Sequence, residues 1–458
     1  MKVIAADDLS ATSLSDSSRL RNIIFILLYF SQGIPEGLTL FAIPAWLAFN
    51  GKSAVEIAAY SATVMIPFSL KILLAPIIEK YTYLPMGRRR PWLLFGQFGI
   101  LSGLFALAFV PEPLDNIFVI VCVVLCLHIF VMFQDIATDS LVIDIVPVEQ
   151  QGRANSLMWG SKTIGSSVSL FLGSWLINGY GFTSAVLILS APILVVMFVP
   201  LLLREHKGEK LLPWTQGQTS DETKQFVVES WKKMFKSFKQ VVLLRNSILL
   251  LLAVFIALGA IYFINTLLPI FTIQELGWTN VYFSKIFSSC RLIGGVAGML
   301  VGALVIQRMG VIRFIQSSLI LMIVIAVLFV MGAVFWHHLN IIVGFIVTFC
   351  ILATLINIGV LALAMQLCWK RVSAIQFTFC MTIFNAGLAT GAALLGWLRP
   401  YMEWQQLFLV FAGLIAFAMV LFKFMKTTNH VKQVERLEEQ YMDVLKVEGS
   451  LLVKSETI

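Results

Sequence analysis

Gln134-Asp135-Ile136-Ala137-Thr138-Asp139 sits inside an apolar run from Val121 to Val146, with His128 two turns before Asp135. The run is long enough to cross a bilayer. An Asp at the centre of an inserted helix costs ~2.5–3.5 kcal/mol, so two of them must face protein or water and serve a purpose there. Four-residue spacing stacks both carboxylates on one helical face. The fold turns on what that face looks at.

The composition sets the solvent. Of 458 residues, 59% are hydrophobic and 13% charged, against ~25% charged in soluble domains. This is a membrane protein. Thirty-six Phe and eleven Trp suit a lipid-facing surface with interfacial aromatics. The net charge of +8 resides in short loops between apolar runs, which argues against nucleic acid. Cys122, Cys126, Cys290, Cys350, Cys368 and Cys380 lie within or at the ends of apolar runs and form no framework with His. They read as small packing residues, and neither a metal nor a cofactor is expected. Residues 1–22 are polar and lack a basic n-region with a cleavage site, so the first run is expected to remain as a membrane helix.

Twelve runs of spanning length are marked at about 23–49, 56–79, 91–110, 116–145, 153–178, 183–203, 247–273, 279–306, 313–335, 340–366, 372–398 and 405–425. The expected division is an N-terminal tail (1–22), a six-helix bundle (23–203), a linker (204–246), a second six-helix bundle (247–425) and a C-terminal tail (426–458). Lys and Arg crowd the connections on one side, whereas the other side holds only Lys52 and Arg399. The basic side is expected to be cytoplasmic and to carry both termini. Within the linker, Val227, Trp231, Met234, Phe235, Phe238 and Val242 recur at helical spacing between Lys232, Lys233, Lys236 and Lys239. This predicts an amphipathic helix on the membrane surface that tethers the halves. The charged tail after Asn429 is expected to be a solvated extension.

Polar side chains are not spread evenly. Run 1 carries Gln32 and Glu36, run 2 Lys71, run 4 His128, Asp135 and Asp139, and run 5 Asn155, Lys162 and a Ser-rich face. Run 7 carries Asn265, run 8 Lys285 and Arg291, run 10 Asn357, and run 11 Gln376 and Asn385. Runs 3, 6, 9 and 12 have little beyond Gln97 and Gln316. Every third run is therefore lipid-compatible, and the other eight must surround a polar cavity. A period of three within two six-helix halves resembles the pattern of the major facilitator architecture, and the expected fold is an all-α integral membrane protein of twelve transmembrane helices in two pseudo-symmetric bundles.

Glu79-Lys80-Tyr81 followed by Gly87-Arg88-Arg89-Arg90 joins runs 2 and 3. An acid at a helix end before glycine and a basic triplet is similar to the facilitator loop motif, which clasps helix ends in one conformation. Gln307-Arg308-Met309-Gly310 with Arg313 reads as a decayed copy in the second half. In run 8, Gly294, Gly295, Gly298 and Gly302 predict close helix packing.

Phe30-Ser31-Gln32-Gly33-Ile34-Pro35-Glu36-Gly37, Leu70-Lys71, Ala75-Pro76, Gly87-Arg88-Arg89-Arg90, Gln134-Asp135-Ile136-Ala137-Thr138-Asp139 and Ser373-Ala374-Ile375-Gln376-Phe377 together resemble the AmpG-type family. These are the peptide/acetyl-coenzyme-A transporters among the major facilitators. Glu79 stands where that family has Asp. The resemblance implies proton-coupled import across a bacterial inner membrane, of a muropeptide, acetyl-CoA or a ferric siderophore.

At ~1.5 Å per residue, Asp135, Glu36 and Lys162 fall near mid-membrane, with Asp139 and Lys71 nearer the cytoplasm. Asp135 and Glu36, then Asp139, are the candidates for proton coupling. Gln32, Lys162, Arg291, Asn265, Asn357, Gln376 and Asn385 are candidates for holding an anionic substrate, which Lys285 would recruit. Lys71, Glu79, Arg88, Arg89, Arg90 and Arg153 are expected in gating or structure. If the charges merely compensate one another, Lys71 pairs with Asp139 and Lys162 with Asp135. His128 reads as a hydrogen-bonded packing residue. His128, Asp135 and Ser140 form no nucleophilic triad, and no HExxH or nucleotide-binding loop occurs, so neither an enzyme nor a primary pump is expected. The alternative from another class is a non-transporting membrane sensor. The expected partners are a small-molecule solute, protons and the bilayer, with the chain a monomer.

Overall fold

The structure is a computed structural model that describes residues 13–15, 17–146, 148–220, 231–297, 303–369, 373–427 and 429–440. The first half contains α1 (Ser18–Phe49), α2 (Ala54–Val64, Ile66–Ser69 and Lys71–Lys80 in series), α3 (Arg90–Ala108), α4 (Ile117–Ile145), α5 (Val148–Tyr180) and α6 (Phe182–Leu202). The amphipathic linker helix is α7 (Trp231–Val242). The second half contains α8 (Arg245–Glu275), α9 (Asn280–Ala297), α10 (Ala303–Met309), α11 (Val311–Met331), α12 (Leu339–Gln366), α13 (Ser373–Leu398) and α14 (Trp404–Lys423). Among the described residues, ten helices are long and apolar enough to span a bilayer. The fifth and eighth expected positions are held by α5 and by α9 with α10. Both are diluted by polar groups, the buried Ser face and Lys162 in one and Arg291 with the exposed Lys285 in the other.

The two halves repeat each other in backbone detail. Helix α1 carries Pro35 and then a π-turn at Leu38–Ala42; α8 carries Pro269 and then a π-turn at Phe271–Glu275. A proline removes one ladder donor, and the wide turn takes up the mismatch. Before α3 and α11 the chain turns on Gly87 and Gly310, at φ 96° and 80°, a region that L side chains avoid. The decayed second-half loop therefore keeps the geometry of the first.

Close backbone crossings set the inner layer. A Cβ on Gly33 or Gly37 would lie 2.3 Å or 2.1 Å from the Lys162 or Ser166 carbonyl oxygen, so α1 and α5 touch main chain to main chain. In the second half α8 and α13 do the same, where a Cβ on Gly391 would meet the Gly259 carbonyl at 2.0 Å. Helices α3, α6, α11 and α14 flank these pairs and present Phe98, Val195, Leu328 and Phe417 outward as exposed apolar side chains. Of the run 8 glycines, Gly294 meets the Cys350 carbonyl on α12, while Gly298 and Gly302 lie outside the described residues.

The bundle has two ends, here the linker face, which carries the segment joining the halves, and the far face. At the linker face the tail is not a solvated extension. His430 is buried and its Nε2–H donates to the Leu367 carbonyl at 2.8 Å. Val434 and Leu437 pack on Trp369 and Val241, and the Trp369 indole donates to Glu438. The tail helix over 429–440 covers the α12–α13 turn because its apolar positions find a partner there. Helix α7 joins this layer, with Phe238 edge-on to Phe379 of α13.

Candidate functional site

Two charged clusters occupy the interior. In the first, Lys71 Nζ lies 2.5 Å from Asp135 and 2.9 Å from Asp139. Gln32 donates to Asp135 at 2.9 Å, and the Tyr29 hydroxyl donates to Asp139. One cation thus faces two carboxylates. The Lys71 and Asp135 side chains are nearly buried, at 12% and 13% exposure, whereas Asp139 is 41% exposed toward the linker face. Lys71 therefore serves both acids, not Asp139 alone.

In the second cluster, Glu36 lies 3.1 Å from Lys162 of α5 and 3.9 Å from Arg291 of α9. One carboxylate faces two cations, one from each half. The Lys162–Asp135 pairing that mere charge compensation would give is not formed; Lys162 pairs with Glu36, because the α1–α5 backbone contact through Gly33 and Gly37 brings Glu36 to the level of Lys162. Arg291 also lies 4.0 Å over the face of Phe41 and within 3.5 Å of the Ser166 hydroxyl. The Tyr262 hydroxyl is buried within the electrostatic reach of Glu36 and Arg291 and, among the described residues, has no hydrogen-bond partner. Asn357 Oδ1 and Gln32 Oε1 are likewise buried and unpartnered. Unmet buried polar atoms are what a solute or water would satisfy.

The other sequence candidates divide by position. Asn265 is half-buried one turn beyond Tyr262. Asn385 donates to the Phe68 carbonyl at 3.2 Å and so ties α13 to α2 across the halves. Gln376 is spent on the backbone: its amide accepts from the Trp369 N–H at 2.9 Å and donates to the Leu367 carbonyl at 3.1 Å, holding the α12–α13 turn. Lys285 is exposed near the far face. The side chains of Glu79 and Arg153 lie outside those described.

The basic triplet is a structural knot. Arg89 pairs with Asp144 at 2.8 Å. Arg90 is buried and donates to the carbonyls of Pro200 and Lys210, at 2.5 Å and 2.8 Å, and of Leu211. The Glu205 carboxylate accepts from the backbone N–H groups of Arg88 and Arg89, at 2.8 Å and 2.7 Å, and of Arg90. Burial, with Glu209 nearby, pushes the Glu205 carboxyl up to about 7 against these hydrogen bonds. Leu14 and Ser15 add backbone bonds to Arg204 and Glu205 at 2.9 Å and 3.1 Å. The sequence pointed to the arginines; Asp144 and Glu205 were hidden among ordinary helix-end acids.

At the far face the halves are joined. Asn178 and Asn280 exchange amide bonds at 2.6 Å and 3.0 Å, the Ser174 and Ser284 hydroxyls are 2.6 Å apart, and Gln274 donates to the Lys52 carbonyl at 2.8 Å. The interior clusters thus lie beneath a closed far face, with Asp139 exposed toward the linker face.

Comparison with known proteins fits this geometry. The model of the Major Facilitator Superfamily matches residues 25–379. The chain is 25% identical over 404 residues to the anhydromuropeptide permease of Escherichia coli K12, covering 85% of this chain and 76% of the relative. It is 22% identical over 401 residues to the putative transporter AmpG 3 of Rickettsia prowazekii, covering 84% and 90%. The crystal structure of a D-xylose-proton symporter superposes with a TM-score of 0.67 at 12% identity, over 90% of this chain and 99% of that one, a likeness of fold. The chain is a multi-pass membrane protein and a secondary transporter, and it belongs to the Major Facilitator Superfamily.

Proposed function

We propose that this transporter imports an anhydromuropeptide or a similar anionic peptide-bearing solute by alternating access, coupled to protons. It would do so in a bacterial inner membrane, with the linker face and both termini cytoplasmic. The observation that carries the reading is Glu36 held between Lys162 and Arg291, a carboxylate shared by the two halves. A proton on Glu36 removes the counter-charge of both cations and leaves them to hold the solute's carboxylates. Tyr262, Asn357 and Gln32, whose buried polar atoms lack partners among the described residues, and the half-buried Asn265 are the neutral groups proposed to meet the rest of the solute. Release of the solute restores the Glu36 ion pairs and expels the proton on the opposite side.

Asp135 and Asp139 form the second proton-accepting station. With one Lys71 between two carboxylates, the cluster holds one negative charge in excess, which a proton removes. Lys71 and the Arg88–Arg90 knot act in gating. The similarity to the E. coli permease supports the solute class.

The test is uptake by proteoliposomes under an imposed pH gradient, with labelled anhydromuropeptide, acetyl-CoA and a ferric siderophore in parallel. Gradient-driven uptake of the muropeptide, abolished in folded Asp135→Asn, is expected. Wild-type flux of another solute alone would reassign the substrate, and binding without flux would make the protein a sensor.

A further inference from the structure

His128 is fully buried on α4, and it bonds to two places where neighbouring helices depart from regular geometry. Its Nδ1 lies 2.7 Å from the Val64 carbonyl, the last residue of the first α2 segment. A carbonyl only accepts, so Nδ1 carries the hydrogen. Its Nε2 lies 2.9 Å from the Thr39 hydroxyl, inside the α1 π-turn. With Nδ1 protonated, the neutral ring offers a lone pair at Nε2, and the Thr39 hydroxyl donates to it. The same hydroxyl is 2.7 Å from the Pro35 carbonyl, next to Glu36, so one hydrogen serves either acceptor.

The π-turn needs such support. Its Ile43 N–H bonds back to the Leu38 carbonyl, and the next residue, Pro44, has no N–H for Thr39. The orphaned Thr39 carbonyl accepts from the Tyr60 hydroxyl of α2 at 2.8 Å. Phe68, after the α2 break, stands edge-on to the imidazole with centroids 4.8 Å apart, and its carbonyl takes the Asn385 amide of the second half. The charged groups acting on the ring are Glu36 and Lys162, of opposite sign.

We propose that His128 is a positioning residue of the transport cycle. As a neutral two-point strut it ties the α1 π-turn to the α2 break, and thereby holds Glu36 level with Lys162 and Arg291. It carries no proton. In this role Gln replaces it, since one amide can donate to Val64 and accept from Thr39, whereas Phe cannot.

The experiment compares wild-type, His128→Gln, His128→Phe and Thr39→Val proteins in lipid nanodiscs by backbone hydrogen exchange, which needs no solute. His128→Phe is expected to speed exchange about tenfold in 36–43 and 64–70, the size of one lost buried hydrogen bond, with α5 unchanged. Thr39→Val should do so in 36–43 alone, and His128→Gln in neither window. In proteoliposomes, His128→Phe should lower the maximal rate of labelled anhydromuropeptide uptake about tenfold and move KM less than about twofold. The inference rests on the proposed function only for this second readout: a wild-type protein that takes up no muropeptide removes the solute assignment, while the exchange pattern still decides the strut. Unchanged exchange in Thr39→Val and His128→Phe would overturn it. So would a His128→Gln protein as slow as His128→Phe with a shifted pH profile, which would make His128 a proton carrier.

Discussion

Lys162 Nζ stands 3.1 Å from the Glu36 carboxylate, across the one crossing where α1 and α5 meet main chain to main chain through Gly33 and Gly37. Backbone contact sets the level of α1 against α5 here, and the His128 strut fixes the π-turn just beyond Glu36. Glu36→Gln keeps the shape and removes the charge that two cations share. It is expected to bind the anionic solute at least as tightly as the wild type, because Lys162 and Arg291 lose their internal competitor. It should lose gradient-driven accumulation by at least about tenfold. Binding by isothermal titration and uptake under a pH gradient separate the two effects.

Lys71 is the only cation bonded to Asp135 and Asp139 among the described contacts. Breaking a buried pair from one side costs about 3–5 kcal/mol, and the exposure of Asp139 puts this case at or below the lower end. Lys71→Met should lower the thermal midpoint in detergent by several degrees. Lys71→Met combined with Asp135→Asn and Asp139→Asn should recover most of it. No recovery would mean that Lys71 acts through packing and not through charge.

Glu205 gives the linker-face knot a pH dependence. Its folded pKa, about 7, lies above the unfolded value, so its stabilising effect is full below about pH 4.5 and is lost as pH rises through about 7. Thermal midpoints of the wild type should fall between pH 5 and pH 8. Glu205→Gln should show a flatter profile over that window.

The far face closes through hydroxyls 2.6 Å apart on Ser174 and Ser284. That separation keeps the two Cβ atoms within about 5.5 Å, close to the spacing a disulfide spans. Ser174→Cys with Ser284→Cys, once oxidised, should lock the far face and stop uptake, and reductant should restore it. Full transport by the oxidised protein would show that this contact need not open.

The sequence carried the architecture because polar groups are costly in lipid. Counting them run by run separated interior helices from flanking ones, and the Pro35 and Pro269 segments of α1 and α8 then proved to share π-turns. Partners were less legible. Depth along a helix axis places a residue in level but not in rotation, so it left Asp135 as the compensating partner for Lys162 when Lys162 turns to Glu36. Tyr29 did not stand out in the sequence; only tertiary contact brings its hydroxyl to Asp139. Glu205 was missed for the same reason, since three backbone N–H groups that capture a carboxylate leave no mark in side-chain pattern. The tail helix looked solvated because its few apolar residues gain meaning only against Trp369.

The most direct measurement is accumulation of labelled anhydromuropeptide in proteoliposomes holding the wild-type protein, with and without an imposed pH gradient and a protonophore. Proton coupling at Glu36 requires accumulation above the external concentration with the gradient, its collapse by the protonophore, and no accumulation by Glu36→Gln. Equal uptake with and without the gradient, or gradient-driven accumulation by Glu36→Gln, would contradict it.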